Sequence, residues 1–192
     1  MIEKINESVS IVVSGGADSA LLLYFLLKVQ TDTVHIKTLT NKQKFYRNAL
    51  PAVNIIKFCS EKTNNNNITH TFLYEDFQDD ASFAKLLQNM DTRIKIMGFT
   101  DVPSVDSNLV IPALPEKDIR NHPKPRKVWQ GDWFFPFANL NKKEIAELYK
   151  NNDLLETLFP LTMSCESLEN VDGHCGKCWW CKERMWGFGR LV

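Results

Sequence analysis

The chain has 192 residues, 44% of them hydrophobic, and its 23 Lys and Arg residues balance 23 Asp and Glu residues. This content suffices for one sizeable core, or for one domain with a small appendage. Zero net charge argues against a large basic face for duplex nucleic acid. No apolar run is long enough to span a bilayer, and the N-terminus lacks a signal-peptide pattern. We therefore expect a cytoplasmic protein without membrane or nucleic-acid partners.

The hydrophobic pattern predicts strands that alternate with helices through the first half of the chain. In chain order, the predicted elements are strand 9–13, helix 17–29, strand 33–39, helix 41–62, strand 68–74, helix 82–90 and a strand that ends at Gly98. A later helix is expected after Asn141, which together with Glu144 has the spacing of a capping box. Alternation of this kind predicts an α/β fold with a Rossmann-like open parallel sheet.

The string SGGADS, residues 14–19, lies between the first predicted strand and the first predicted helix. Two glycines allow the backbone to approach an anion closely, and the start of a helix adds N–H donors and positive partial charge. Ser14 and Ser19 can donate hydrogen bonds to phosphate, whereas Asp18 would repel phosphate unless it holds a cation such as Mg²⁺. The alternative is a tight turn before an ordinary helix. The string is neither the kinase-type phosphate loop nor G-x-G-x-x-G.

The segment from residue 100 to residue 137 differs from its surroundings because it holds six of the eight prolines and several basic residues. We predict a long irregular insertion, and such loops in compact domains are usually functional or disordered. Its residues Lys124, Arg126 and Lys127 are candidate contacts for substrate or phosphate. A solvated loop is the equal alternative.

Four of the five cysteines lie within the last 28 residues, at spacings of nine, two and two intervening residues. They are Cys165, Cys175, Cys178 and Cys181. Two-residue gaps let neighbouring thiolates turn toward one ion, and four thiolates satisfy a structural Zn²⁺. His174 could replace a ligand, although four cysteines already suffice. The sequence therefore predicts a C-terminal zinc-binding subdomain.

Two further features near these motifs have a structural and a functional interpretation. Cys59 lies on the apolar stripe of a predicted helix, so we expect it to pack in the core. The pair Trp179–Trp180 could stack on a planar base. Packing around the metal knuckle is the commoner role for such a pair.

Both ends of the chain resemble the 7-cyano-7-deazaguanine synthase family of the queuosine pathway, a family of PP-loop ATP pyrophosphatases. The matching strings are SGGADS, FPFANLNKKEIAELYKNNDLLE, TMSCES and CGKCWWCKERMWGF. The four C-terminal cysteines fall on the zinc ligands of the family, and Arg184 falls on its closing arginine. The middle of the chain departs from the family pattern and carries the proline-rich basic segment instead.

The resemblance implies an adenine nucleotide alpha-hydrolase type of fold, with a nucleotide-binding domain over residues 1–150 and a zinc region over residues 151–192. It implies an ATP-dependent carbon–nitrogen ligase that adenylates 7-carboxy-7-deazaguanine and converts it with ammonia to the nitrile. Zn²⁺ would be structural, Mg²⁺ would accompany ATP, and a homodimer is allowed. The alternatives are an amide-forming variant, a tRNA-modifying sulfurtransferase and a non-catalytic zinc-ribbon module.

The resemblance and the expected topology together assign site residues. Ser14, Asp18 and Ser19 are the expected catalytic residues. Lys37, Thr38 and Leu39 end the second strand, where adenine would lie, and Gly98 would contact the ribose or the α-phosphate. The full set expected to bind ATP is Ser14, Gly15, Gly16, Ala17, Asp18, Ser19, Lys37, Thr38, Leu39 and Gly98.

Overall fold

The computed structural model describes residues 2–40, 48–74, 90, 92–104, 107–111, 119–121, 123–165, 167 and 173–192. Within these ranges the regular elements are β1 (Val9–Val12), α1 (Ala17–Val29), β2 (Val34–Thr40), α2 (Leu50–Thr63), β3 (Ile68–Tyr74), β4 (Ile94–Ile96), β5 (Trp129–Gln130), β6 (Trp133–Phe134), α3 (Lys142–Asn151) and α4 (Trp179–Phe188). Two 3₁₀ turns, Ile119–Asn121 and Phe159–Leu161, connect them.

The described strands form one sheet in the order β3-β2-β1-β4-β6-β5. Strand β1 pairs in parallel with β2 on one side and with β4 on the other. Strands β3 and β6 are also parallel to their inner neighbours, and β5 alone among the described strands is antiparallel. The order reverses at β1, and ligands of open α/β sheets bind at such a switch point, outside the carboxyl ends of the strands. The predicted α/β fold is confirmed.

The core lies where α1 and α2 pack together on one side of the central strands. Helix α1 buries almost its whole circumference, and Leu21, Leu22 and Leu23 are fully buried although they point in three directions. Burying one leucine side chain is worth roughly 1.5–3 kcal/mol. This unbroken apolar run therefore holds the start of α1, and the loop before it, in a fixed position.

Several predicted elements begin or end elsewhere than expected: the strand predicted over 9–13 ends at Val12, and the strand predicted over 33–39 covers Val34–Thr40. Helix α2 begins at Leu50, because Pro51 lacks an N–H group and is tolerated only in the first turn of a helix. Strand β4 covers only Ile94–Ile96, so Gly98 follows the strand instead of ending it. Residues 41–47 and most of the helix predicted over 82–90 lie outside the described residues.

The prediction that residues 100–137 are irregular throughout is wrong. Strands β5 and β6 form a hairpin in this segment, and β6 extends the main sheet through parallel pairing with β4. Gly131, with φ at +58°, lies in the two-residue loop between them. Strands of two residues are too short to show a hydrophobic period. The many prolines of the segment therefore favoured the prediction of an irregular loop. Helix α4, inside the cysteine-rich tail, was likewise not predicted.

Helix α3 begins with the predicted capping box. The Asn141 side chain accepts hydrogen bonds from the N–H groups of Lys143 and Glu144, and the Glu144 carboxylate accepts from Asn141 N at 2.7 Å. Farther along the helix, the Tyr149 hydroxyl donates to the carbonyl of Ala17 at 2.7 Å in a buried environment. Helix α3 is thereby attached to the first residue of α1.

The described helices include none with both the length and the apolar character needed to cross a membrane. The division into a nucleotide-binding domain over residues 1–150 and a zinc region over 151–192 stays a prediction. Helices α3 and α4, one from each predicted part, pack against each other.

Replacing Tyr149 with Phe should lower the free energy of unfolding by about 1 kcal/mol, because one buried hydrogen bond is lost while the ring stays in place. Urea denaturation of the purified protein measures this change. Tyr24→Phe is the matched control, since the Tyr24 ring is also buried and its hydroxyl has no hydrogen-bond partner among the described residues. An equal decrease in the free energy of unfolding in both variants would contradict the assigned role of the Tyr149 hydroxyl.

Candidate nucleotide and metal sites

The loop from residue 14 to residue 19 is ordered by its own side chains and by glycine backbone geometry. Gly15 has φ at +84°, and a Cβ at this position would lie 2.8 Å from the carbonyl oxygen of Asn48. Ser19 Oγ accepts from Ser14 N at 3.2 Å and donates to Gly16 O at 3.1 Å. Any side chain at position 15 would therefore displace the loop, which explains the first glycine of the string.

The segment that follows β4 also approaches the loop closely. A Cβ at Gly98 would lie 3.2 Å from the carbonyl carbon of Asp18 and 3.2 Å from the backbone nitrogen of Ser19. Gly98 thus packs its backbone against the junction of the loop and α1. The predicted contribution of Gly98 to the site agrees with this location, and the direct ligand contact stays a prediction.

A cavity of about 350 Å³ opens at the carboxyl ends of β1 and β4. Its volume is within the range of small-molecule sites. Seven of the ten residues expected to bind ATP line it, namely Ser14, Gly16, Ala17, Asp18, Ser19, Leu39 and Gly98. The sheet therefore brings the first and second strand ends, the loop and Gly98 to one concave surface.

The remaining three expected residues, Gly15, Lys37 and Thr38, do not belong to the described lining of this cavity. Thr38 is fully buried and donates its hydroxyl to the carbonyl of Val13 at 3.0 Å. The carbonyl of Lys37 accepts from Val13 N at 2.9 Å. These contacts hold Val13, the residue that precedes the loop. Lys37 and Thr38 therefore stabilise the position of the loop without lining the cavity.

Asp18 belongs to a largely buried ion cluster that is centred on Lys142. Lys142 Nζ lies 2.5 Å from Asp18 Oδ2 and 3.4 Å from Glu183 Oε2. Burial alone would lower the pKa of Lys142, but the charges of Asp18 and Glu183 outweigh it, and the pKa is raised. The other oxygen, Asp18 Oδ1, is buried without a hydrogen-bond partner among the described residues. An unpartnered carboxylate oxygen on a residue that lines the cavity is a candidate ligand for a cation such as Mg²⁺.

Sequence reasoning missed Lys142 and Glu183, which also line the cavity. One local signal was available for Lys142, because it is the first residue of α3. A cation at a helix N-terminus opposes the helix dipole, so a lysine there needs another reason for its position. No comparable signal marks Glu183.

The basic residue that segment 100–137 contributes to the cavity is not one of the three that the sequence predicted. Arg126 pairs with Asp101 at 2.8 Å, Lys124 forms an ion pair with the same carboxylate, and Lys127 is exposed. None of the three belongs to the described lining of the cavity, whereas Arg120 does. The Arg120 guanidinium lies 5.7 Å from the centre of the Phe99 ring, which also lines the cavity.

The four C-terminal cysteines form the predicted cluster. Their sulfur atoms all lie within 4.8 Å of one another, and Cys175 Sγ and Cys181 Sγ are 3.9 Å apart. Tetrahedral Zn–S bonds of about 2.3 Å place sulfurs about 3.8 Å apart. Backbone N–H groups of Cys178 and Lys177 donate to Cys175 Sγ, and these bonds lower the pKa of the Cys175 thiol to about 6. The donors and their spacing fit Zn²⁺.

Three other residues that the sequence analysis named lie outside the four-cysteine cluster. His174 is not a member of the cluster, and its Nε2 accepts from Ser164 N at 3.4 Å. Cys59 is fully buried in the core, as expected. Arg184 is also buried, donates to Thr162 Oγ1 at 2.8 Å and to Leu191 O at 2.7 Å, and holds the end of the chain in place.

The cysteine region also forms one wall of the cavity. Cys165, Trp180 and Glu183 line the cavity together with residues of the loop 14–19. Trp180 is half-buried there, whereas Trp179 does not belong to the described lining. One member of the cysteine cluster, Cys165, therefore faces the same cavity as the loop.

Comparison with known proteins agrees with the C-terminal motifs. Residues 132–192, the last third of the chain, match the family model described as Queuosine biosynthesis protein QueC, which confirms the resemblance over these residues. Among solved structures, NMN synthetase from Francisella tularensis is similar at 14% identity and a TM-score of 0.45, over 96% of this chain and 78% of that chain. No curated protein matches the sequence.

Replacing Cys178 with Ser should abolish stoichiometric zinc binding and lower the thermal unfolding temperature, because a structural zinc site supplies folding energy. Metal analysis of the purified protein, together with a thermal melt, measures both effects. Cys59→Ala is the control, because it removes a buried thiol outside the cluster and should keep one zinc per chain. A stable, metal-free Cys178→Ser variant would contradict the structural role.

Proposed function

We propose that this protein is an ATP-dependent enzyme that transfers AMP to the carboxylate of a deazapurine acid and completes an amination with ammonia. The observation that carries this proposal is the location of the SGGADS loop at the switch point between β1 and β4, facing a cavity of about 350 Å³. The similarity of residues 132–192 to the queuosine family supports the substrate class. The proposed substrate is 7-carboxy-7-deazaguanine.

The loop is the proposed site of the pyrophosphate end of ATP. The N-terminus of α1 begins at Ala17 with Gly16 as its cap, so its first N–H groups face the cavity without helix partners. The hydroxyls of Ser14 and Ser19 lie 3.2 Å apart and can turn toward phosphate oxygens. Asp18 would hold Mg²⁺ through Oδ1, and the metal would neutralise charge on the phosphates.

The proposed chemistry has two adenylation steps, each followed by release of AMP. A carboxylate oxygen of the acid attacks the α-phosphorus of ATP, and pyrophosphate leaves from the loop. Ammonia then attacks the acyl carbon of the adenylate, the C–O bond to AMP breaks, and loss of a proton from nitrogen gives the amide. The amide oxygen would attack the α-phosphorus of a second ATP with release of pyrophosphate and one N–H proton, and breakage of the C–O bond with loss of the remaining N–H proton would release AMP and leave the nitrile. Residues of this chain contribute by positioning and charge neutralisation.

The wall formed by Phe99, Arg120 and Trp180 is the proposed site of the acid. Two aromatic side chains offer faces for a planar bicyclic base. The Arg120 guanidinium can pair with a carboxylate. This wall replaces Lys124, Arg126 and Lys127 as the proposed substrate contact, because Arg120 lines the cavity and those three residues do not belong to its described lining.

The competing functions fit these contacts less well. A sulfurtransferase needs a reactive cysteine outside the metal site, and Cys59 is fully buried with the pKa of its thiol raised by burial. A zinc module without activity would not need the buried unpartnered oxygen of Asp18 beside an anion loop. Mass spectrometry of the product distinguishes nitrile formation from the amide-forming variant.

Replacing Asp18 with Asn should reduce pyrophosphate release with ATP and 7-carboxy-7-deazaguanine by about 100-fold or more, because the charge that holds the cation is lost. A coupled pyrophosphate assay with AMP detection measures the rate. Asp132→Asn, an exposed position, is the matched control and should retain the rate. Wild-type protein that releases no pyrophosphate with the acid and ammonia would refute the proposed reaction.

Replacing Arg120 with Met should raise the KM for the acid by about 10- to 100-fold, since a charge-assisted hydrogen bond is worth about 1.5–3 kcal/mol. The KM for ATP should change little. Initial rates at varied concentrations of each substrate separate the two effects, with Lys127→Met as the control at an exposed position of the same segment. An increase of the same size in both KM values would argue against a specific acid site.

A further inference from the structure

Helix α4 contacts Lys142 at two places. The carboxylate of Glu183 lies 3.4 Å from Lys142 Nζ. One turn later, a Cβ at Gly187 would lie 2.7 Å from Lys142 Cβ and 2.9 Å from the Lys142 carbonyl carbon, far inside van der Waals contact. Gly187 therefore permits an approach of α4 to α3 that no other residue at this position would allow.

The Lys142 ammonium group also contacts Asp18. Lys142 has a side chain that is only 9% exposed, and its ammonium group lies between Glu183 and Asp18. Thr100 Oγ1 donates to the same oxygen of Asp18 at 3.3 Å. With Oδ2 engaged by Lys142 and Thr100, the rotamer of the carboxylate is fixed, and Oδ1 is buried without a hydrogen-bond partner among the described residues.

This arrangement does not stabilise the protein in an ordinary way. A buried ion cluster often contributes little net stability, because desolvation offsets the attraction between the charges. The cation also stands at the N-terminus of α3, against the helix dipole. What the cluster does provide is a fixed orientation of the Asp18 carboxylate.

We infer that α4 is a positioning element of the nucleotide site, in which Glu183 and Gly187 set the location of Lys142 and Lys142 sets the orientation of Asp18. The inference rests on the proposed nucleotide site and gives a role to three residues that lie within the matching strings but to which the sequence analysis assigned none. Because α4 begins directly after Cys178 and contains Cys181, the cysteine cluster fixes the same helix that positions Asp18. Glu183, Gly187 and Lys142 are thus positioning residues.

Binding of the Mg²⁺ complex of α,β-methylene-ATP to zinc-loaded protein tests the inference by calorimetry. Glu183→Gln and Gly187→Ala should each weaken binding by about 10-fold or more and raise the Mg²⁺ concentration needed for half-saturation, with zinc content unchanged. In a Lys142→Met background, neither change should weaken binding further. Glu147→Gln, exposed on α3, and Lys182→Ala, exposed on α4, are the matched controls.

A second measurement does not depend on nucleotide. The ¹³Cγ chemical shift of Asp18 in the nucleotide-free protein should move in Glu183→Gln and Gly187→Ala but not in the two controls. An unmoved shift, or an equal loss of affinity with and without Lys142, would overturn the inference. Wild-type protein that fails to bind the analogue would refute the proposed function instead, and the chemical shift would still decide whether α4 positions Asp18.

Discussion

The ion pair between Asp18 and Lys142 is the contact on which the candidate site depends. It joins residues 124 positions apart and connects the loop after β1 to the first residue of α3. The hydrogen bond from Tyr149 to Ala17 and the one from Met163 N to Gly15 O, at 2.8 Å, join the same two regions. The anion loop is therefore held on one side by its own strand and helix and on the other by the C-terminal third of the chain.

This arrangement gives the cysteine cluster a role beyond local stability. The four sulfurs of the cluster lie within 4.8 Å of one another beside the start of α4, and α4 brings Trp180 and Glu183 to the cavity. The last third of the chain, which matches the queuosine family, thus builds a wall of the site whose floor is the N-terminal loop. Neither part encloses the cavity by itself.

The parts of the site that the sequence predicted are those encoded by local spacing. The string of residues 14–19 and the cysteines at 175, 178 and 181 each place their reactive groups within a few residues, so local spacing largely decides what they can reach. The short gaps of the cysteine motif proved sufficient to bring the sulfurs together, and the long apolar run after Ala17 proved sufficient to predict α1.

The parts that were missed depend on contacts between distant segments. Lys142, Glu183 and Arg120 reach the cavity only because three separate elements converge on it. The hairpin of β5 and β6 was missed for a different reason, because two residues per strand are too few to show a period. Its stability comes from pairing with β4 and from the stacking of Trp129 on Phe134 at 4.5 Å, and neither contact has a local sequence signal.

The long sequence separation between Asp18 and its partners has a consequence for biosynthesis. Strands β1 and β2 and helix α1 can form as soon as they leave the ribosome, since their contacts are close in sequence. Asp18 acquires the contacts that orient its carboxylate only after residue 183 has been translated. A nascent chain that stops before this residue therefore carries the loop of residues 14–19 without the ion cluster around Lys142.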